Sequence, residues 1–129
     1  MITNKKIVLL DDTSREITNK ILTSNKLICF KLKVCGNSMY PTLADGDTVM
    51  ILTVRPENIK PGDIIVYKHF ETHLTIHRVM DIIILNSEQY LFVTKGDYSS
   101  YNDNYNVNPK QVIGKVIYIF NKNERKNTN

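Results

Sequence analysis

From Leu27 onward apolar and polar residues alternate, with Ile28, Phe30, Leu32 and Val34 on one parity and Cys29, Lys31, Lys33 and Cys35 on the other. A period of two is that of a strand with one buried face, because successive side chains leave opposite sides of the backbone. The spacing predicts a strand over 27–35. Further apolar runs between turn signals predict strands near 48–54, 63–68, 74–84, 90–94 and 112–120. The turns are marked by Asp45-Gly46, Pro61-Gly62, Lys95-Gly96 and the Asn-rich stretch 98–109, residue types that supply positive φ or bond their own backbone. Ahead of these, Ile7 to Leu10 is a short apolar run, and Thr13 and Glu16 are spaced as a capping box in front of Ile17, Ile21 and Leu22 at helical spacing. That predicts one helix over 13–24. The expected fold class is therefore mainly β, a curled antiparallel or mixed sheet or a small, partly open barrel with one short N-terminal helix.

The length of 129 residues suits one core. A single domain is expected over residues 1–120, with 121–129 as a disordered basic tail. The longest aliphatic run, Ile82 to Leu85, falls far short of the ~18 residues that cross a bilayer. The run after Lys5-Lys6 is likewise too short for a secretory core segment. Cys29 and Cys35 lie too far apart along one predicted strand to pair, so both are expected as free thiols, which fits a reducing compartment. These readings describe a soluble, cytoplasmic protein without a transmembrane segment. The formal charge of +4 hints at nucleic acid, but the cations are scattered and densest in the tail, so no nucleic-acid partner is expected.

Candidate chemistry starts at the segment Gly36 to Leu43, which follows a predicted strand and precedes Asp45-Gly46-Asp47. A serine held on such a turn exposes a fixed Oγ, with main-chain N–H groups nearby to receive an oxyanion, but it needs a base to become a nucleophile. Among three histidines, His69 and His73 flank a predicted hairpin turn, while His77 lies inside the alternating run and is positioned by the sheet. Their spacing of four would build a metal face on a helix only, so no metal and no other cofactor is expected. Asp97 and Asp103 follow a predicted strand in a turn-rich loop and can supply the carboxylate that orients a histidine.

In order, Ser38-Met39-x-Pro41, Gly46-Asp47, Lys60-Pro61-Gly62-Asp63-Ile64-Ile65, His77-Arg78-Val79, Thr94-Lys95-Gly96-Asp97 with Asp103, and Gly114-Lys115-Val116 form a series. It resembles the catalytic core of type I signal peptidases of the endoplasmic-reticulum and archaeal type, over residues 34–118. The resemblance implies a serine endopeptidase in which Ser38 is the nucleophile and His77 the general base. Of the two loop aspartates, Asp103 is preferred as the residue that orients His77, and Asp97 as a support of the loop. Gly36, Asn37, Met39, Tyr40 and Pro41 are implied as oxyanion and substrate contacts.

Two features depart from that family. Where its members carry a membrane anchor this sequence has a predicted strand and helix, which implies a substrate outside the bilayer, such as the leader of a small peptide or another protein. The position two before the nucleophile, often serine there, is Gly36, which is closer to LexA-type self-cleaving repressors. Those use a Ser-Lys pair, whereas the counterpart here is His77, and the one similar self-cleavage dipeptide, Cys35-Gly36, lies too near Ser38 to enter the site. Self-processing and a catalytically silent peptide-binding module are the alternative readings. Met39 and Tyr40 are expected as exposed apolar residues that meet a substrate or partner protein.

Overall fold

The computed structural model describes residues 7–10, 27–70 and 73–120; the helix expected over 13–24 and the tail 121–129 lie outside the described residues. The described residues form eight strands: β1 (Ile7–Leu10), β2 (Leu27–Lys33), β3 (Thr48–Leu52), β4 (Ile64–Phe70), β5 (His73–Ile84), β6 (Tyr90–Lys95), β7 (Asn106–Val107) and β8 (Val112–Ile119). They make one sheet in the order β1-β2-β3-β8-β4-β5-β6-β7. Only β1 and β2 run parallel; every other pairing is antiparallel. The protein is thus mainly β, with an open sheet whose edges are β1 and β7. Its curvature has a local cause, since the register shifts in the β3–β8, β4–β8, β4–β5 and β5–β6 pairings, and such bulges bend and twist a ladder.

The alternation along β2 is realised as expected, with Ile28, Phe30 and Leu32 buried and Lys31 and Lys33 exposed. The apolar run of β4 behaves differently. Ile65, Val66 and Tyr67 are consecutive and all fully buried, so this strand is covered on both faces. Val66 belongs to a core with Phe30, Val34, Met39, Leu43 and Ile51, whereas Ile65 and Tyr67 belong to a second core with Val79, Phe92 and Val107. β8 is shared in the same way, through Ile113 on one side and Val112 on the other.

Two features of the fold leave little trace in hydropathy. The strand β7 is two residues long inside the Asn-rich stretch, too short for a period to show. Short 3-10 turns at Pro56–Asn58 and Pro109–Gln111 each begin with proline, and the second is closed by Asn108 and Gln111 in a reciprocal capping box.

Because β4 divides the two cores, loss of its buried side chains is felt strongly. Ile65→Ala is expected to lower the unfolding free energy by about 2–5 kcal/mol, against less than ~0.5 kcal/mol for Ile84→Ala, where the side chain is 69% exposed. Denaturant unfolding of the two variants checks the contrast.

Candidate active site

Ser38 is presented by a turn that is fixed at both ends. Val34 N–H donates to Asp47 O at 2.7 Å and Gly46 N–H to Val34 O at 2.8 Å, which closes the segment between β2 and β3. Within it, Gly36 N–H donates to Asp45 Oδ1 at 2.7 Å and Asp45 N–H to Asn37 Oδ1 at 3.2 Å. The chain then coils, with Tyr40 N–H on Asn37 O and Leu43 N–H on Met39 O. Met39 and Leu43 are 2% and 0% exposed and anchor this coil in the first core, leaving Ser38 exposed between them and the strand.

That burial corrects one expectation. Met39 is not part of an exposed apolar surface: its side chain fills the core and its Sδ accepts the Asp97 N–H at 3.3 Å. Tyr40 does face solvent, 43% exposed, and its ring meets Tyr98 edge to face. Pro41 follows through a cis Tyr40–Pro41 peptide. Gly36 has φ +88°, a backbone that a serine would adopt only under strain, so the glycine at this position is demanded by the turn.

His77 comes from β5, opposite Ile65 of β4, with its side chain 13% exposed. Its Nε2 lies 3.2 Å from Ser38 Oγ, and its Nδ1 lies 2.7 Å from Asp103 Oδ2. Asp103 reaches that place because the loop after β6 turns back on itself, Asp103 N–H donating to Thr94 O at 2.8 Å. Thr94 Oγ1 donates to the same Asp103 Oδ2 at 2.8 Å. An ionised carboxylate can only accept, so Nδ1 carries the proton and Nε2 is left with the lone pair that faces the serine.

The loop also lies directly on the serine turn. A Cβ on Gly96 would stand 2.6 Å from Ser38 O and 3.2 Å from His77 Nε2, so only glycine lets the three segments meet. Tyr98 N–H donates to Ser38 O at 3.0 Å. Asp97, the other loop aspartate, does not touch His77 in the way Asp103 does. Its carboxylate takes Arg78 Nε and Nη2 at 2.8 and 2.7 Å and the Thr42 hydroxyl at 2.6 Å, tying β5, the serine turn and the loop together. Arg78 Nη1 continues to Gly62 O at 2.8 Å. The Arg78 guanidinium holds the Asp97 carboxyl below the usual carboxylate range, with Thr42 acting in the same direction.

Three other titratable side chains near the site have contacts of their own. Lys95 Nζ donates to Gly96 O and Ser99 O at 3.2 and 2.7 Å. His69 stacks on Tyr105 with ring centres 3.9 Å apart, and His73 lies against Phe70. Among the described residues no group of three His, Cys, Asp or Glu side chains is placed to hold a metal ion. Cys29 and Cys35 are free thiols. No helix among the described residues is long and apolar enough to cross a membrane.

Sequence reasoning did not single out Tyr67, Tyr105 or Thr42. One signal was available for Tyr67, since a hydroxyl within the apolar run Ile64 to Tyr67 requires a buried partner. Tyr105 and Thr42 sit in stretches whose composition says only that they are turns.

A cleft lined by Leu32, Val34 and Cys35 on one side and Leu74, Thr75 and Ile76 on the other ends at Ser38. Among the described residues the two walls are strand edges without a further pairing. β1 pairs with β2 only as far as Phe30, and β6 pairs with β5 only from Arg78 onward. Val34 is bonded on its β3 side, so the alternation of an antiparallel ladder turns the main-chain groups of Lys33 and Cys35 to the cleft. A chain lying between these edges would meet Ser38 at its end.

The Arg78–Asp97 pair predicts an acid signature. A carboxyl whose folded pKa is depressed contributes stability that is full above its unfolded value of ~3.9 and is lost as pH falls through the lower folded value. Asp97→Asn is expected to cost roughly 1–3 kcal/mol at neutral pH. The gap in melting temperature between wild type and variant is expected to narrow below about pH 4, which thermal scans across pH will show.

A family model described as Peptidase S24-like matches residues 3–117, a span that includes β1 to β7 and most of β8. No curated protein matches the sequence significantly. The match contains Ser38, His77, Asp97 and Asp103, and the open β-sheet fits that family's fold. The chain belongs to the Peptidase S24-like family.

Proposed function

We propose that the protein is a serine endopeptidase of signal-peptidase type, with Ser38 as nucleophile, His77 as base and Asp103 as the group that orients it. One observation carries this reading: the unbroken line from Ser38 Oγ through both ring nitrogens of His77 to Asp103, at 3.2 and 2.7 Å. Both distances are within hydrogen-bond reach.

In the acylation step His77 Nε2 takes the Ser38 proton as Oγ bonds to the carbonyl carbon of the scissile peptide. The developing oxyanion needs donors, and the Ser38 N–H makes no hydrogen bond among the described residues, which leaves it available. Collapse breaks the C–N bond, and the imidazolium returns its proton to the departing amine. Water then attacks the acyl-enzyme as His77 accepts its proton, and Ser38 is regenerated. Asp103 stays ionised throughout and stabilises the imidazolium. The substrate is an extended peptide added between the edges of β2 and β5, with small residues ahead of the cut, as the resemblance to signal peptidases implies. A peptide leader or an exposed segment of a partner protein has that form.

The histidine base separates this proposal from a lysine mechanism. Lys95 is held by two carbonyls, and a lysine base would need desolvation to work at neutral pH. Hydrolysis of a fluorogenic peptide with alanine before the cleaved bond is expected to rise on one limb around pH 6–7, where imidazole ordinarily titrates, and to level off by about pH 8. His77→Ala is expected to lower kcat by about 10³-fold or more, Asp103→Ala by roughly tenfold to a hundredfold less than that, and Lys68→Ala or Lys95→Ala hardly at all. A limb above about pH 9, or near-normal turnover without His77, would refute the assignment.

A further inference from the structure

Behind Asp103 stands a row of hydroxyls that the reaction above does not use. Thr94 is fully buried at the end of β6, and its Oγ1 donates to Asp103 Oδ2 at 2.8 Å, the same oxygen that meets His77 Nδ1. The hydroxyl of Tyr67, fully buried on β4, is 2.6 Å from that of Tyr105 and 3.5 Å from Thr94 Oγ1. The nearby Asp103 charge helps to hold the Tyr105 proton in place. Burial pushes both phenols above their ordinary range, so both remain neutral donors. Each of the three hydroxyls brings one proton, and the only member of the cluster without one is the Asp103 carboxylate. Donors can therefore all be satisfied only if the row points toward a charged Asp103.

We propose that Thr94 and the Tyr67–Tyr105 pair are positioning residues that fix Asp103 Oδ2 against His77 and share its negative charge, and so set the pH at which His77 takes up a proton. A donor on the carboxylate spreads its charge and weakens its hold on the imidazolium; removing that donor strengthens the hold. The other groups around His77 leave Asp103 as the dominant partner. Ser38 faces it from the β2–β3 turn and the Tyr67 ring from β4, 6.5 Å away. Arg78, the next residue on β5, is matched by Asp97. Lys95 of β6, paired with Arg78 of β5, is bound to the Gly96 and Ser99 carbonyls, and His69 is stacked on Tyr105.

The test is an NMR titration of the His77 ring protons, assigned with His77→Gln, in wild type, Thr94→Val, Thr94→Ser and Tyr67→Phe. Thr94→Val keeps the shape and removes the donor, and its His77 titration is expected to move up by about half a pH unit. Thr94→Ser is expected to restore the wild-type value, and Tyr67→Phe to give a smaller shift in the same direction. A Thr94→Val titration that stays in place or moves down, or a folded Thr94→Ser that fails to restore it, overturns the proposal. Should Thr94→Val not fold, an unmoved titration in Tyr67→Phe overturns it instead. The kinetic counterpart, an equal shift of the acidic limb, rests on the peptidase reading. An NMR shift without any peptide hydrolysis refutes that reading and supports this one, and hydrolysis with an unmoved titration does the reverse.

Discussion

The approach of the Gly96 segment to Ser38 sets the geometry of everything around it. With no side chain at position 96 the end of β6 comes close enough that a Cβ would stand 2.6 Å from Ser38 O. At that separation Tyr98 N–H bonds Ser38 O, Asp97 N–H bonds Met39 Sδ, and the Asp97 carboxylate reaches Thr42. The serine turn, the loop and β5 are then parts of one rigid unit. Asp103, at the far end of the same loop, is delivered to His77 because its N–H closes back on Thr94 O. A wider approach would loosen both ends of the hydrogen-bonded line together.

The two loop aspartates show how placement in one loop separates their chemistry. Asp97 is saturated by a two-pronged Arg78 and a hydroxyl, which holds it ionised and makes it a structural tie. Asp103 faces an imidazole and neutral hydroxyls. Its charge is therefore the one that a proton arriving on His77 would meet. The Gly36 to Leu43 coil makes the complementary division among its own residues, burying Met39 and Leu43 and leaving Ser38 at the surface.

Much of this was legible in the sequence, for reasons that differ by element. β2, β3, β5, β6 and β8 announce themselves by period and by bracketing turns, since one-sided burial writes itself into alternation. The order of Ser38, His77 and the two aspartates carried the family resemblance, and the structure brings Ser38, His77 and Asp103 within hydrogen-bond distance. Met39 lies in the core rather than at the surface; a methionine beside an exposed serine looks exposed until the coil that turns it inward is known. The Tyr67–Tyr105–Thr94 row was invisible because its members come from three separated segments whose meeting depends on the β4–β5–β6 register. Hydropathy reports burial along a strand, not which hydroxyls converge across a sheet.

The central claim is that Ser38 is made nucleophilic by His77. Covalent labelling with a fluorophosphonate, read by intact mass and peptide mapping, addresses it without knowledge of the substrate. A single adduct on Ser38 is expected, absent in Ser38→Ala and formed far more slowly in His77→Ala. An unlabelled Ser38 in the folded protein, or labelling at the wild-type rate without His77, would contradict it.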